Sequence, residues 1–305
     1  NPIFPNIYRN MPLPNQVSFT DPNNLQGNFG VAGVLKLNRD QYDLKVNYNA
    51  TSKLAVWGKY SRMDAPVSGV YPFGELGGPA IGTDGFGDTT TQLYTAGFNY
   101  TLSPSLVTDG VFGFTDMDQT VGIPGQDQNV GLDVWRIPGT NGGRQFANDR
   151  RYGGLPNLSG FGFSNLGVAA TWTPLFRREK SATYQQNFGW IRRNHDLRFG
   201  FEVRRLMLDH WQPETANPRG SITMAGAATN IPGQVGREAN SYAAALLGLV
   251  DNYNKSVQFF EMVNREWQNA FYVRDRWQVN RRLTVNLGLR YEYYPLITRG
   301  DRGIE

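Results

Sequence analysis

The residues that most often carry catalysis or bind metals are few in this sequence and widely separated. Cysteine is absent, and histidine occurs twice, as His195 and His210. Neither histidine has a second ligand at the spacing of a zinc motif, and no GxSxG or SxxK nucleophile motif occurs. Asp84 and Asp88 could offer carboxylates to calcium, but the spacing of TDGFGD is not that of an EF-hand loop. We therefore predict no enzymatic activity, no metal site and no cofactor.

The elements that must position any other functional group are β-strands, and residues 267–294 predict them most clearly. In WQNAFYVRDRWQVNRRLTVNLGLRYEYY, the last ten or so residues alternate between apolar side chains and polar or charged ones. Side chains of a strand point to opposite faces at every second residue, so this pattern predicts a strand with one apolar face. Asn280, Arg281 and Arg282 predict the turn of a hairpin. Strands of about ten residues have the length needed to cross a bilayer when tilted.

Three further hairpins are predicted, with turns near Thr51, Ser103 and Asn194. The four short turns alternate strictly with connections of about 25, 60 and 50 residues. Short turns on one side and long loops on the other are typical of bacterial outer-membrane barrels. A soluble β-sandwich with insertions is the alternative, although long structureless loops are uncommon in compact domains.

The longer segments between these hairpins are predicted as follows. We expect residues 1–28 to be loop or linker, residues 29–37 a weak strand, and residues 63–88, 119–180 and 210–237 long loops. The apolar segment 239–250 predicts a short helix capped by Asn240 or Ser241. Residues 257–263 are expected to form a strand.

The predicted hairpins resemble one known family. YVRDRWQVNRRLTVNLGLRYEYY, NMPLPNQ and RDQYDLKVNYNATSKLAVWGKYSR resemble barrel segments of TonB-dependent outer-membrane transporters, in particular the Oar-like group. The resemblance implies a barrel of about 22 strands around a plug domain. It also implies transport of an unknown substrate across the bacterial outer membrane, energised by the TonB complex. Partners would be outer-membrane lipid, the plug and TonB.

At 305 residues the chain is short for that barrel, so we expect a fragment of about eight to ten long antiparallel strands forming an open, curved all-β sheet. Residues 1–38 would lead into the strand hairpins of residues 39–305. The plug and N-terminal domains, including the segment that binds TonB, are expected outside this chain. A passive porin or channel and a surface adhesion or structural barrel remain alternative functions.

Composition agrees with this interpretation. The net charge of +4 results from 30 basic and 26 acidic residues, which are interspersed and give no basic run for nucleic acid. No apolar run reaches 18 residues, so we predict no transmembrane helix, and a spanning strand escapes such a search because every second side chain is polar.

The barrel hypothesis assigns two sets of residues. Charged residues of the polar strand faces would line the lumen, either as cross-strand ion pairs or as a surface against which a plug packs or a substrate moves: Arg198, Glu202, Arg204, Arg274, Arg276, Arg290 and Glu292. Aromatic residues near the short turns and toward the far ends of the strands would form two girdles at the membrane interfaces: Tyr48, Tyr100, Trp190 and Trp277, then Tyr60, Phe114, Tyr291 and Tyr293.

Two charges on the predicted apolar faces test the assignment. Arg205 lies far from its turn, where a charge in contact with lipid costs only about 0–1 kcal/mol. Asp275 shares a face with Val273 and Trp277, and we place it nearer mid-depth, where the cost is higher. A β-bulge that turns Asp275 inward would remove the conflict.

Overall fold

Long antiparallel strands dominate the structure, a computed structural model that describes residues 1–23, 26–146, 149–213, 216–233, 238–258, 260–300 and 303–304. The helices are α1 (Ile3–Tyr8) and α2 (Glu238–Leu247). The strands, in chain order, are β1 (Lys36–Leu37), β2 (Asp40–Asn49), β3 (Leu54–Asp64), β4 (Val67–Val70), β5 (Ile81–Ser103), β6 (Leu106–Gly122), β7 (Asn157–Ser159), β8 (Leu175–Arg192), β9 (His195–Trp211), β10 (Ser221–Thr223), β11 (Asn252–Asn254), β12 (Met262–Gln278), β13 (Thr284–Tyr293), β14 (Thr298–Arg299) and β15 (Gly303–Ile304).

Eight long strands form one antiparallel meander in the order β2-β3-β5-β6-β8-β9-β12-β13. Within the described residues, β2 pairs only with β3 and β13 only with β12, so the sheet is open at both edges. The prediction of an open all-β sheet with about eight to ten long strands is confirmed.

All four short turns lie on the same rim of this sheet, because each joins neighbouring antiparallel strands in a sequential meander. Side chains that mimic backbone acceptors close two of them. Thr51 Oγ1 accepts hydrogen bonds from the N–H groups of Lys53 and Leu54, at 3.1 and 3.0 Å. Asn280 Oδ1 accepts from Arg282 and Leu283, at 2.8 and 2.9 Å. The predicted alternation of short and long connections is therefore confirmed.

The central strands are longer than predicted. β5 has 23 residues, β8 has 18, and β6, β9 and β12 have 17 each, against an expectation of about ten. The extra length lies on the side of the long connections, so strand replaces about half of the loop expected at 63–88 and the ends of the loops expected at 119–180 and 210–237. The outer part of β5, TDGFGDTTT, is polar apart from Phe86 and carries no alternating signal.

The long connections and residues 1–35, which we call the loop cap, hold the hydrophobic core. Its members are buried residues of the connections and of α1 and α2: Phe4, Ile7, Leu76, Ile123, Val130, Trp135, Leu155, Leu158, Phe161, Leu166, Val168, Ile222, Met224 and Ala245. A small sheet with the order β11-β10-β7 ties together two connections, the one between β6 and β8 and the one between β9 and β12. No helix in the described part of the chain is long and apolar enough to cross a membrane.

Several predictions for the loop cap are wrong. Residues 3–8 form α1 rather than loop, because Phe4 and Ile7 bury one side of the helix; Pro5 lies in its first turn, where the missing N–H is tolerated. Of the strand expected at 29–37 only β1 forms, and the strand expected at 257–263 begins at Met262. The helix expected at 239–250 exists as α2, but Asn240 and Ser241 lie inside it rather than at its cap. Residues 24–25, 147–148, 214–215, 234–237 and 259 of the predicted segments lie outside the described residues.

Candidate functional site

The register of the long strands joins their alternating side chains into two continuous faces. Phe112 of β6, for example, lies opposite Tyr184 of β8, which lies opposite Val203 of β9. What we call the apolar face collects the following residues: Leu44, Val46, Val56, Phe98, Phe112, Phe199, Phe201, Phe271, Val273, Leu287 and Leu289. All seven charged residues singled out in the sequence lie on the opposite side, the polar face.

Within the described part of the chain, no second layer of protein covers the apolar face. Leu283, Leu287 and Leu289 are 49%, 57% and 71% exposed, and Val285 is half-buried. None of them belongs to the core cluster, which lies in the loop cap. An apolar face of this size exposed to water is unusual for a soluble protein and is typical of a membrane surface. The arrangement argues against a soluble sandwich.

The aromatic residues predicted for the girdles all lie on the apolar face. Tyr48, Tyr100, Trp190 and Trp277 lie within a few residues of the short turns. Tyr60 pairs with Tyr94, which pairs with Phe114, with ring centroids 5.0 and 6.3 Å apart. Phe114 lies near the middle of β6, since that strand continues past the membrane-length segment.

Polar side chains on the apolar face satisfy one another, a feature that sequence reasoning missed. Gln186 Nε2 donates to Thr108 Oγ1 at 3.2 Å, and Tyr184 Oη donates to Gln186 Oε1 at 2.6 Å. Thr108 in turn donates to the carbonyl oxygen of Asn187 at 2.8 Å. In a hydrocarbon environment, where an unpaired polar group is costly, these bonds make Gln186 tolerable.

Asp275 stays on the apolar face, so the proposed bulge is wrong. The register of β12 with β9 and β13 is unbroken through this position. The carboxylate Oδ2 lies 2.6 Å from Nδ1 of His195, whose ring stacks on Trp277 with centroids 5.5 Å apart. Asp275 is three residues from the end of β12, closer to the short-turn rim than expected. Its partner, 80 residues away in sequence, could not be found from local pattern.

The ion pairs among the seven charged residues run along strands rather than across them, contrary to the cross-strand expectation. Arg204 pairs with Glu202 at 3.1 Å, and Arg290 pairs with Glu292 at 2.6 Å. The reason is their register: both glutamates lie opposite Ala270, and no opposite charge is directly across from them. Cross-strand ion pairs do occur at other positions, such as Lys59 with Asp43 and Arg178 with Asp116.

Three arginines of the polar face have no ion pair within 4 Å among the described residues: Arg198, Arg274 and Arg276. Arg198 and Arg274 are directly opposite each other on β9 and β12. Like charges in that position destabilise a sheet unless an anion compensates them. Asp196 lies opposite Arg276, whereas Arg198 and Arg274 have no carboxylate across from them, so this part of the polar face has an excess of positive charge.

A hydrogen-bonded chain beside these arginines crosses four strands of the polar face. Tyr272 Oη donates to Asn187 Oδ1 at 2.7 Å, and Asn187 Nδ2 donates to Asp109 Oδ2 at 2.8 Å. Gly200 lies between Tyr272 and Asn187 in register. A Cβ atom there would be 2.7 Å from Asn187 Oδ1 and 2.8 Å from Tyr272 Cε1. Only glycine lets the chain of side chains close over β9.

Arg219 is a buried cation of the loop cap that has no carboxylate within 4 Å among the residues the structure describes. Arg219 is fully buried and donates to the carbonyl oxygens of Leu155, Ala170 and Thr173, at 3.2, 3.2 and 2.7 Å. Burial lowers the pKa of Arg219 to about 9, so the guanidinium is charged at neutral pH. Burial also raises the pKa of Tyr71 to about 12. Arg219 thus ties the connection between β9 and β12 to two stretches of the connection between β6 and β8, at Leu155 and at residues 170–173.

The cap also encloses a largely apolar cavity of about 360 Å³ between α1, α2 and the small sheet. Phe4, Ile222, Met224 and Val250 are among its lining residues. Within the described residues, no cluster of three or more histidine, cysteine or acidic side chains could hold a metal ion. The candidate functional site is therefore the polar face of the sheet, an extended surface rather than a pocket, with the loop cap at one end.

The sequence model of one protein family, the outer membrane beta barrel domain, matches residues 1–305. The chain belongs to that family. Membership of this family places the chain in the bacterial outer membrane. It confirms two predictions from the sequence, the outer-membrane location and the β-barrel fold.

Solved structures similar to this β-barrel chain include those of three bacterial proteins. They are the ferric-catecholate import receptor Fiu from Escherichia coli K12 (14% identity, TM-score 0.41), the siderophore receptor PiuA from Acinetobacter baumannii (12%, 0.42) and the outer membrane transporter YddB from Escherichia coli (11%, 0.44). Each alignment covers 85% of this chain. It covers 34% of Fiu, 36% of PiuA and 28% of YddB. The chain therefore spans about a third of the length of these proteins. No curated protein matches it.

Proposed function

We propose that this chain is part of the barrel wall of a TonB-dependent outer-membrane transporter. In this proposal the apolar face contacts hydrocarbon, the polar face lines the lumen, and the TonB complex energises movement of a substrate through it. The short turns then face the periplasm and the loop cap faces outward.

The observation that carries the proposal is the pair of open edges. Backbone N–H and C=O groups cannot remain unpaired in hydrocarbon, so spanning strands must close into a barrel. The edges at β2 and β13 do not pair with each other, and we infer that further strands complete a barrel of more than eight. A barrel of about 22 strands has a lumen wide enough to need a plug.

The unpaired arginines of the polar face support a plug. Arg198, Arg274 and Arg276 lack carboxylate partners within 4 Å in the described part of the chain. An acidic surface of a plug packed against this wall would supply the missing charges. A passive porin would leave the same cations exposed to water, where they would favour the passage of anions.

Conductance of the whole outer-membrane protein in planar bilayers tests this proposal, together with binding of the periplasmic domain of TonB. A plugged transporter is expected to conduct no ions and to bind TonB. Steady conductance through the wild-type protein would overturn the proposal in favour of a porin. A closed barrel that does not bind TonB would overturn it in favour of an adhesion or structural barrel.

A variant separates the role of the arginines from their effect on folding. Arg198→Gln, Arg274→Gln and Arg276→Gln together are expected to loosen the plug and produce leak conductance. The control is Arg9→Gln, Arg39→Gln and Arg144→Gln, which removes the same charge from exposed positions away from the polar face. Leak from the control variant alone would contradict the assignment.

A further inference from the structure

The rim of short turns carries a concentrated patch of exposed arginines, which we call the basic rim: Arg192, Arg193, Arg281 and Arg282. They belong to two turns that adjoin in space. The N–H of Gln278 donates to the carbonyl oxygen of Asn194 at 2.8 Å, and Trp277 lies opposite His195 in register. The turn of β5 and β6 is connected to the same patch, since the N–H of Ile191 donates to the carbonyl oxygen of Ser105 at 2.9 Å.

The charges of the basic rim are not neutralised by the protein that the structure describes. None of the four arginines has an acidic side chain within 4 Å there. Residues 190–197 and 275–283 contain five arginines and two aspartates. Asp275 is bound to His195, and Asp196 lies on the polar face opposite Arg276. The patch therefore has a marked positive excess.

Two tryptophans place the basic rim at a defined level of the sheet. Trp190 and Trp277 lie on the apolar face next to the two turns. Tryptophan on a membrane-facing surface concentrates at the level of the lipid headgroups. The guanidinium of Arg192 lies over the ring of Trp190, 5.3 Å from its centroid. Arg192 lies two residues beyond Trp190, which is about 7 Å farther along the strand. The arginines of the basic rim therefore lie at the level of the lipid phosphates.

We propose that the basic rim binds the headgroups of anionic phospholipids in the periplasmic leaflet. A phosphate accepts hydrogen bonds from guanidinium groups in a bidentate geometry, which favours arginine at such sites. Position favours lipid over a soluble anionic partner, because Trp190 and Trp277, the latter 38% exposed, continue the apolar face to within a few residues of the arginines. The inference depends on the outer-membrane location and not on transport.

The test uses the whole protein in nanodiscs of phosphatidylcholine that contain either brominated phosphatidylglycerol or brominated phosphatidylcholine. Bromine quenches nearby tryptophans, so the ratio of the two quenching constants measures enrichment of the anionic lipid around the tryptophans exposed to lipid. Trp267, 46% exposed on the apolar face far from the rim, is replaced by phenylalanine in all samples, so that Trp190 and Trp277 report on the rim. A basic residue near an anionic surface is worth about fivefold in lipid association. We expect the variant R192Q/R193Q/R281Q/R282Q to lower the ratio by about fivefold or more.

The matched control, R9Q/K36Q/R39Q/R144Q, removes four exposed basic residues that lie in or beside the loop cap, at the other end of the strands. It is expected to keep the wild-type ratio. If the quadruple rim variant fails to fold, the double variant R193Q/R281Q provides the same comparison. A rim variant that retains the wild-type preference would overturn the proposal, and so would an equal loss in the control, which would indicate net charge rather than the rim.

Discussion

Asn141 offers the sharpest test of how the loop cap is held together. Its side chain is fully buried and makes three hydrogen bonds to the backbone of neighbouring segments. Nδ2 donates to the carbonyl oxygens of Tyr152 and Gly154, each at 2.9 Å, and Oδ1 accepts from the N–H of Leu132 at 3.1 Å. The backbone of Asn141 has φ of 52°, in the left-handed region that asparagine tolerates better than alanine.

The magnitude follows from these contacts. Each lost hydrogen bond costs about 0.5–1.5 kcal/mol, and more where a buried partner is left unsatisfied. Alanine in the left-handed region adds about 1 kcal/mol. Asn141→Ala should therefore lower the free energy of opening of the cap by about 3–6 kcal/mol. Asn141→Gly loses the same hydrogen bonds without the backbone strain and should cost about 1 kcal/mol less.

Hydrogen exchange of peptides covering residues 128–158 measures this opening directly. Exchange should accelerate by roughly two to four orders of magnitude in Asn141→Ala, up to the limit set by global stability, whereas peptides of β5 and β6 should not change. Aspartate tolerates the backbone conformation of residue 141 but would put a carboxylate against two carbonyl oxygens. Exchange in Asn141→Asp should therefore be at least as fast as in Asn141→Ala. Gln145→Ala, at an exposed position of the same connection, is the control. Exchange in Asn141→Ala within threefold of wild type, or faster exchange in Asn141→Gly than in Asn141→Ala, would refute the reasoning.

Three further predictions concern the strands and the cap. Gly200→Ala should destabilise the folded barrel by about 1–3 kcal/mol through overpacking. The Cβ atom of the new alanine would lie 2.4 Å from the carbonyl oxygen of Gln186. Gly113→Ala is the control, because Gly113 lies on the same face and a Cβ atom there would have no atom within 4 Å, so stability should not change. The measurement is the fraction of protein that keeps its heat-resistant folded form on gels, and an equal loss in the two variants would contradict the prediction. A double-mutant cycle of Asp275→Ala and His195→Ala should give a coupling of about 1 kcal/mol in denaturant unfolding, and additivity would show that the bond stabilises nothing. Burial alone would raise the pKa of Asp149, but hydrogen bonds from Arg151 outweigh it and lower that pKa. Because the pKa of Asp149 is lower in the folded state than in the unfolded state, its ionised carboxylate stabilises the fold. This contribution is complete above about pH 4 and is lost as the pH falls through the folded-state pKa. Exchange around residues 149–152, corrected for its intrinsic rate, should rise only below that pH in wild type, and Asp149→Asn should abolish the dependence.

The hairpins could be predicted because their signals are local. Alternation in β2, β9 and β13 identifies a strand and its two faces within about ten residues. Thr51 and Asn280 mark turns through bonds to residues two and three positions away. These features need no knowledge of which strands pair.

The loop cap and the pairing of single residues could not be predicted in the same way. The buried contacts of Phe4 join it to Phe161 and Tyr242, far away in sequence. The Asp275–His195 bond depends on the register between β9 and β12, which no local pattern specifies. The outer parts of β5 and β8 are extended without alternation, because both faces of a strand beyond the hydrocarbon can be polar.

The opposite environments of the two strand faces can be measured most directly with a pair of adjacent substitutions in β2. Val46 lies on the apolar face and is 60% exposed, whereas Asn47 lies on the polar face. Both lie about 13 Å along the strand from the turn. The measurement is the free energy of unfolding in phospholipid vesicles. Val46→Arg should lower it by about 2–4 kcal/mol, the cost of an arginine near the bilayer midplane. Asn47→Arg should cost less than about 1 kcal/mol, and equal costs, or a larger cost for Asn47→Arg, would contradict a sheet with one face in lipid and the other in water.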